Sequence, residues 1–188
     1  MIVDQLLRLA DNQACGGTTT SAPAVSTYSV NLQQVRNLGQ GQVLYAQFYV
    51  NSEFLSASSI AYVQFQIRIA STDNLVSNTK IVGASDSFAC TTTSGNTGLP
   101  TGARIIVPIG GNVDWLRVAN AGASQTGGQF YLGASIVTVG QNLAADPKCR
   151  VTVDLCLDHQ DTYGWNPKPG TANTPVWGSV YPKSFTII

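Results

Sequence analysis

The chain has 188 residues, no formal net charge and 44% hydrophobic residues, but only 11% of its residues are charged, against about 25% in ordinary globular domains. Thr, Ser, Gln and Asn together supply 59 residues, whereas Glu53, His159 and Met1 are each the only residue of their type. Enzymes concentrate titratable groups where the chemistry occurs, so this composition favours a structural or binding protein. The balanced charge also argues against nucleic acid, because phosphate binding depends on Lys and Arg.

The first ten residues show helical spacing. Val3, Leu6, Leu7 and Ala10 recur at intervals of three or four residues, which predicts a short helix or an arm. Such a segment either docks on its own domain or reaches a neighbouring subunit, and the sequence leaves both options open. No stretch has the ~18 apolar residues of a membrane helix. Residues 1–4 contain no basic leader, so we expect a protein made in a cytoplasm.

Six later segments alternate between apolar and polar residues with a period of two, which is typical of strands covered on one face. Their apolar faces are, in chain order, Ser26, Tyr28, Val30 and Leu32; Leu44, Ala46, Phe48 and Val50; Ala61, Val63, Phe65, Ile67 and Ile69 (with Tyr62, Gln64, Gln66 and Arg68 on the opposite face); Ala103, Ile105, Val107 and Ile109; Phe130, Leu132, Ala134 and Ile136; and Cys149, Val151, Val153, Leu155 and Leu157. Shorter candidates are residues 79–83 and 113–119. About eight strands joined by Gly-, Asn- and Ser-rich turns predict an all-β, antiparallel jelly-roll sandwich.

The cysteines show no pattern of metal or disulfide chemistry. Cys15, Cys90, Cys149 and Cys156 lack CxxC spacing, and His159 alone cannot complete a Cys/His zinc site. We therefore expect four reduced and mostly buried thiols, with no metal and no cofactor. Cys149 and Cys156 are seven positions apart on one predicted strand, so they face opposite sides and should not pair.

The chain changes character after residue 140. We place a jelly-roll domain with its N-terminal arm at 1–140 and a C-terminal extension at 141–188, which combines one strand with an extended, proline-spaced segment. The aromatic side chains of this segment that could bind a partner are Tyr163, Trp165, Trp177 and Tyr181. They could anchor a protein interface or stack on sugar rings. We favour protein, because Pro-rich extended segments usually lie against protein.

One cluster resembles a catalytic or metal site. His159 lies between Asp158 and Asp161, and a His with two carboxylates can bind a metal or act as a base. Adjacent residues diverge along a strand, however, so a solvated loop is the preferred interpretation. With one His and no GxSxG motif there is no recognisable catalytic triad. We predict no catalytic residues and no enzyme activity.

Short motifs within residues 1–139 carry a family likeness. They are Met1-Ile2-x-Asp4 followed by Leu6-Leu7, Asp11 and Gln13-Ala14; Val30-Asn31-Leu32; Arg36-Asn37-Leu38-Gly39-x-Gly41; and the stretches 44–50, 61–69, 101–104, 115–118 and 133–139. These motifs resemble the capsid cement, or decoration, proteins of tailed bacteriophages. The resemblance implies a jelly roll on the outside of an icosahedral head, a small homo-oligomer (a dimer or trimer), and a clamp between neighbouring major capsid proteins.

We therefore expect a structural protein that is made in the host cytoplasm and resides on the outer surface of the virion. It would stabilise a phage head by multivalent bridging of capsid proteins, with no nucleic acid and no membrane as partner. The residues expected to bind the partner are Ile2, Leu6, Leu7, Tyr163, Trp165, Trp177 and Tyr181. The alternative is a carbohydrate-binding, adhesin-like jelly-roll module on the virion that uses the C-terminal aromatic residues.

Overall fold

The computed structural model describes residues 7–19, 22–31, 44–77, 79–96, 98–109, 131–145 and 148–156. Within these ranges the chain forms β-strands and no α-helix. The strands are β1 (Arg8–Ala14), β2 (Ala24–Val25), β3 (Val30–Asn31), β4 (Tyr45–Ser52), β5 (Ala61–Ala70), β6 (Lys80–Cys90), β7 (Arg104–Pro108), β8 (Tyr131–Gly140) and β9 (Arg150–Cys156). Every pairing between them is antiparallel.

The strands form two sheets. Sheet A has the order β1-β9-β4-β7, and sheet B has the order β2-β8-β5-β6, with β3 also paired to β8. Only β5 and β6 are both consecutive in the chain and adjacent in a sheet, so most strands pair with a strand that is distant in sequence. The two sheets pack face to face as a β-sandwich. The predicted all-β antiparallel class is therefore confirmed.

The core lies between the sheets and follows the predicted alternation. The inward residues of β5 are at most 2% exposed: Ala61, Val63, Phe65, Ile67 and Ile69. The ring of Phe65 is central, because its centroid lies 5.0 Å from that of Phe48 in sheet A, and 5.7 and 6.1 Å from those of Phe54 and Phe88. The described residues on the predicted inward faces of β4, β7, β8 and β9 are buried as well.

Of the two alternatives for the first ten residues, a short helix or an arm, the helix is wrong from Arg8 onward, because Arg8–Ala14 is an edge strand paired with β9. Two register shifts interrupt this pairing, and Asn12 has a φ of 45°. These irregularities accompany the burial of two adjacent residues, Leu9 and Ala10, which a regular strand would point to opposite faces. Leu7 and Ala10 both contact the core, and their separation of three positions is also the spacing of a helix. Residues 1–6 lie outside the described ranges.

The single strand predicted from Ser26 to Leu32 is also wrong. The chain forms the two short strands β2 and β3, and Leu32 lies outside the described residues. Between them, Ser26 Oγ donates to the carbonyl of Tyr28 (2.8 Å), and the amide of Tyr28 donates to the carbonyl of Leu9 in β1 (2.9 Å). The backbone thus leaves sheet B to bond with sheet A, and Tyr28, predicted to face the core, is 56% exposed.

The same crossing covers the outer edge of β1. Gln13 Nε2 donates to the carbonyl of Val25 (2.6 Å), and Gln13 Oε1 accepts from the amide (2.8 Å) and the hydroxyl (2.9 Å) of Thr27. One side-chain amide therefore ties sheet A to the segment that follows β2. A sheet edge covered in this way is protected from pairing with another chain.

The short strand predicted at 79–83 is the beginning of β6, an edge strand of 11 residues. Its pairing with β5 shifts twice, between the partners of Gln64 and Gln66 and between those of Ile67 and Arg68, and each shift adds a residue to β6. These bulges disturb the alternation, which explains why only the first part of β6 is apparent from the sequence. Bulges also discourage edge-to-edge association. The other short candidate, 113–119, lies outside the described residues.

Strand β9 comes from the region that the sequence assigns to the C-terminal extension, and it lies between β1 and β4 inside sheet A. The described sandwich therefore continues to Cys156. The four cysteines are thiols outside any disulfide, and Cys15, Cys90 and Cys149 are buried, in agreement with the prediction of mostly buried thiols, while Cys156 is partly buried. Burial raises the pKa of Cys15 and of Cys90 to about 12, which keeps these thiols protonated and poorly reactive.

Glu53, the only glutamate, joins three separate loops. Its carboxylate accepts hydrogen bonds from Lys148 Nζ (2.6 Å), from Ser94 Oγ and from the amide of Gly95 (3.2 Å). The bond from Lys148, followed by that from Ser94, lowers the pKa of Glu53 from 4.5 to about 2. Because the folded-state pKa is lowered, the stabilisation is complete above about pH 4.5 and is lost as the pH falls towards 2.

Glu53→Gln is expected to lower the free energy of unfolding by about 1–2 kcal/mol at neutral pH, since it removes the charge that Lys148 contacts. The difference from the wild type should shrink as the pH falls from 4.5 towards 2. Urea unfolding at several pH values measures both effects. Asp73→Asn, in an exposed turn, is the control and should leave stability unchanged. A difference that stays constant across this pH range would contradict a role for the charge.

Candidate functional site: the outer faces of the sandwich

Leu7 is the predicted partner-binding residue that falls within the described ranges. It is partly buried and packs against the core. The other residues of that prediction lie outside the described ranges: Ile2, Leu6, Tyr163, Trp165, Trp177 and Tyr181. The cluster of Asp158, His159 and Asp161 lies outside them too. The assignment of these residues to a partner therefore stays a prediction.

The ion pairs of the described residues connect parts of the fold. Arg8 Nε donates to Asp154 Oδ1 (2.9 Å), which fastens β1 to β9, and Arg8 Nη1 donates to Asp11 Oδ1 (3.3 Å) within β1. Lys148 and Glu53 likewise join two loops. No group of three or more His, Cys, Asp and Glu side chains is placed to hold a metal ion in the part of the chain that the structure describes. The ion pairs of Arg8 and Lys148 therefore serve the fold, by joining strands and loops.

A cavity between the two sheets is too small for an organic ligand. It is lined by residues of β1, β2, β8 and β9, most of them apolar, together with Phe48 of β4. Its volume is about 10 Å³, which is the room of about one water molecule. We therefore consider the outer surfaces of the sandwich as the candidate site.

The aromatic side chains on the outer face of sheet A are partly buried, and one of them contacts a neighbouring strand of the same sheet. Tyr45, Gln47 and Tyr49 follow one another at period two along β4, and all three are partly buried. Arg104 of β7 pairs with Tyr49, and its guanidinium carbon lies 5.7 Å from the centre of the Tyr49 ring. This cation–π contact covers one face of the Tyr49 ring, so only the other face could receive a ligand.

The outer face of sheet B carries almost no charge. We define the sheet B face as four rows of side chains across β6, β5 and β8. The rows are Ala89–Tyr62–Val139, Ser87–Gln64–Val137, Ala84–Gln66–Ser135 and Ile81–Arg68–Gly133. Arg68 is the only charged residue in these positions, and Tyr62, Val139 and Ile81 are 47%, 57% and 58% exposed. Tyr62 and Val139 are neighbours in one row, and Ile81 lies in the row of Arg68. Neighbouring exposed apolar side chains such as Tyr62 and Val139 are typical of an interaction site.

Polar side chains on the sheet B face bond to one another along β5. Gln64 Nε2 donates to the carbonyl of Ser85 (3.0 Å), and Gln66 Nε2 donates to Gln64 Oε1 (2.7 Å). Arg68 Nη2 approaches Gln66 Oε1 at 3.5 Å. We call this chain of bonds the amide ladder. It provides hydrogen-bond partners for the side-chain amide of Gln66, which is 6% exposed, and it ends at the guanidinium of Arg68.

Arg68 is a partly buried cation without an acidic partner among the described residues. Its Nε atom is buried and makes no hydrogen bond, and its one polar contact is the long one to Gln66. Burial lowers the pKa of Arg68 below its ordinary value. A buried charge without a counter-charge costs folding free energy. Such a side chain is a candidate for binding an anion, since perturbed ionisable groups concentrate at functional sites.

Gly133, which pairs with Arg68, leaves room for the loop that contains Leu75 to pack against β8. A Cβ atom at Gly133 would lie 2.2 Å from Leu75 Cδ1 and 2.9 Å from Ser26 Oγ, so no other residue fits there without movement. Leu75 adopts a φ of 60° and is fully buried. Within its row, Arg68 therefore lies between the closely packed Gly133 and the exposed Ile81.

The sequence predicts that Tyr62, Gln64, Gln66 and Arg68 point away from the core, but it does not reveal the sheet B face. The face depends on which strands flank β5, and that pairing cannot be read from alternation alone. A lone arginine in an otherwise uncharged strand is the one signal that the sequence offers. Only the register between β5 and β8 shows that Val139 lies beside Tyr62 on the sheet B face.

No helix in the described ranges is both long enough and apolar enough to cross a membrane. The chain matches no model of a known protein family, and it shows no significant similarity to a curated protein.

Proposed function

We propose that this chain is a structural protein of a virion, with a jelly-roll fold, that decorates the outer surface of a phage head. It would act as a small homo-oligomer and stabilise the head by bridging neighbouring major capsid proteins. The observation that carries this proposal is the sheet B face, which is uncharged except for Arg68 and exposes three large apolar side chains. Surfaces of this kind usually bind protein. The resemblance to capsid cement proteins supports the same function.

The mechanism would be bridging by several weak contacts. Once one contact holds the protein on the head, the next forms at a high effective concentration. A protein that binds only the assembled shell stabilises the shell by mass action. A rigid sandwich suits this role because its core of Phe48, Phe65 and neighbouring apolar residues fixes the distance between its outer faces.

Carbohydrate binding is less well supported by the described residues. Sugar rings commonly stack on aromatic rings whose faces are exposed, whereas Tyr49 has one face covered by Arg104 and Tyr45 is partly buried. The exposed Tyr62 lies among small, amide and aliphatic side chains. This environment favours burial against a protein surface.

Bare heads are expected to take up the purified chain at a fixed ratio to the major capsid protein. Saturated heads should then disrupt at a higher temperature than bare heads, because the bound protein stabilises the assembled state. Sedimentation measures the uptake, and release of packaged DNA on heating measures the disruption. Equal disruption temperatures for saturated and bare heads would exclude the cementing role. As a control, polysaccharide from the host surface should not alter the tryptophan fluorescence of the chain.

Binding to heads is expected to persist in molar sodium chloride. The Debye length falls to ~3 Å at 1 M salt, which weakens exposed ion pairs, but apolar contacts and hydrogen bonds of Gln and Ser side chains survive. Sulfate should maintain or strengthen the apolar part. Sedimentation with bare heads at low and molar salt tests this expectation. Release of the protein at molar salt would indicate that exposed charges make the contact.

A further inference from the structure

We propose that the sheet B face docks on the capsid shell and that the guanidinium of Arg68 receives a carboxylate of the shell protein. This inference rests on the proposed function and specifies the docking surface and the chemistry of the partner. The face has an apolar end at Tyr62 and Val139 and a cationic end at Arg68. The two ends are separated along β5 by about 20 Å, at 3.3 Å per residue.

The guanidinium of Arg68 has unused hydrogen-bonding capacity. Arginine carries five N–H donors in a planar fork that matches a carboxylate in two parallel bonds. In Arg68 one donor makes a 3.5 Å contact with Gln66, and the buried Nε makes none. The amide ladder runs along β5 up to the guanidinium and contacts it through Gln66 Oε1. A group that is held in place before binding loses less side-chain entropy when the partner arrives.

The composition of the face favours a protein segment as the occupant. Nucleic acid would require several cations, and the four rows contain Arg68 alone. A free anion bound to Arg68 would not cover the apolar side chains of Tyr62, Val139 and Ile81, which would stay exposed to solvent. A largely apolar protein segment with one Asp or Glu uses both ends of the face.

A second copy of the chain fits this face poorly. Two copies that met face to face would bring two Arg68 side chains to the interface, and no carboxylate lies in the four rows. Of the carboxylates that the structure describes, Glu53, Asp11 and Asp154 are already bonded to Lys148 and Arg8, and the exposed Asp73 and Asp86 lie outside the four rows. Two copies that met face to face would therefore bring no carboxylate of these rows to Arg68, and we assign that carboxylate to the shell protein.

The test compares two identical substitutions on opposite faces of the sandwich. Arg68→Gln removes the charge from the sheet B face, and Arg104→Gln removes an arginine from sheet A that also has a buried, unpartnered Nε. Sedimentation with bare heads over a range of protein concentrations gives the half-saturating concentration. Arg68→Gln should raise it at least about thirtyfold, because loss of one member of a buried charge pair at an interface is costly. Arg104→Gln should leave it unchanged.

The stability of the free protein provides a second readout. Because Arg68 has no acidic partner among the described residues, Arg68→Gln should leave the thermal midpoint unchanged or raise it. Tyr62→Ser tests the apolar end, with Tyr28→Ser as the control at an exposed tyrosine outside the four rows. Tyr62→Ser should weaken binding, and Tyr28→Ser should not.

The outcomes separate this inference from the proposed function. If the wild type binds heads and Arg68→Gln binds equally well, the docking face is wrong while the decoration function stands. If Arg68→Gln lowers the thermal midpoint as well as binding, Arg68 supports the fold and the docking role is overturned. If the wild type itself fails to bind heads, the decoration function fails, and the docking face fails with it. Association of the free chain with itself that Arg68→Gln abolishes would assign the face to a second copy.

Discussion

The rest of the described structure depends on the packing of Phe65 against Phe48, an aromatic contact that joins sheet B to sheet A. Their ring centroids are 5.0 Å apart, and the rings of Phe54 and Phe88 pack around Phe65 from other directions. With Phe65 fixed inside, the period of two places every second residue of β5 on the outer surface. A slip of one residue would bury Arg68 in the core, so the register of β5 is strongly specified.

The composition of the sheet B face follows from that constraint. The outward residues of β5 are a tyrosine, two glutamines and an arginine, and the flanking strands add Ala, Ser, Val and Ile. Gln13 covers the edge of β1, and bulges interrupt β6, so these two edges are poorly suited to association. Among the described residues, the sheet B face, with the single charge of Arg68 in its four rows, is the surface that we propose for a partner.

The sequence predicts strands well where one face is buried and the other is solvated, as in β4, β5 and β7. It fails where the backbone departs from regular pairing. In the irregular strand β1 and the residue before it, Leu7 and Ala10 both contact the core three positions apart, as in a helix. The bonds of Ser26 and Tyr28 divide a predicted strand. The candidate site could not be predicted from the sequence for a similar reason. Only the strand register shows that Arg68 lies beside Gly133 and has no carboxylate partner among the described residues.

Cryo-electron microscopy of bare heads saturated with the purified chain would show whether the sheet B face binds the shell. We expect additional density on the outer surface, between neighbouring capsid proteins, with Tyr62 and Val139 buried against the shell. A carboxylate of the capsid protein should lie within hydrogen-bonding distance of Arg68, at about 2.7–2.9 Å. Bound protein with the sheet B face turned towards solvent would contradict the claim.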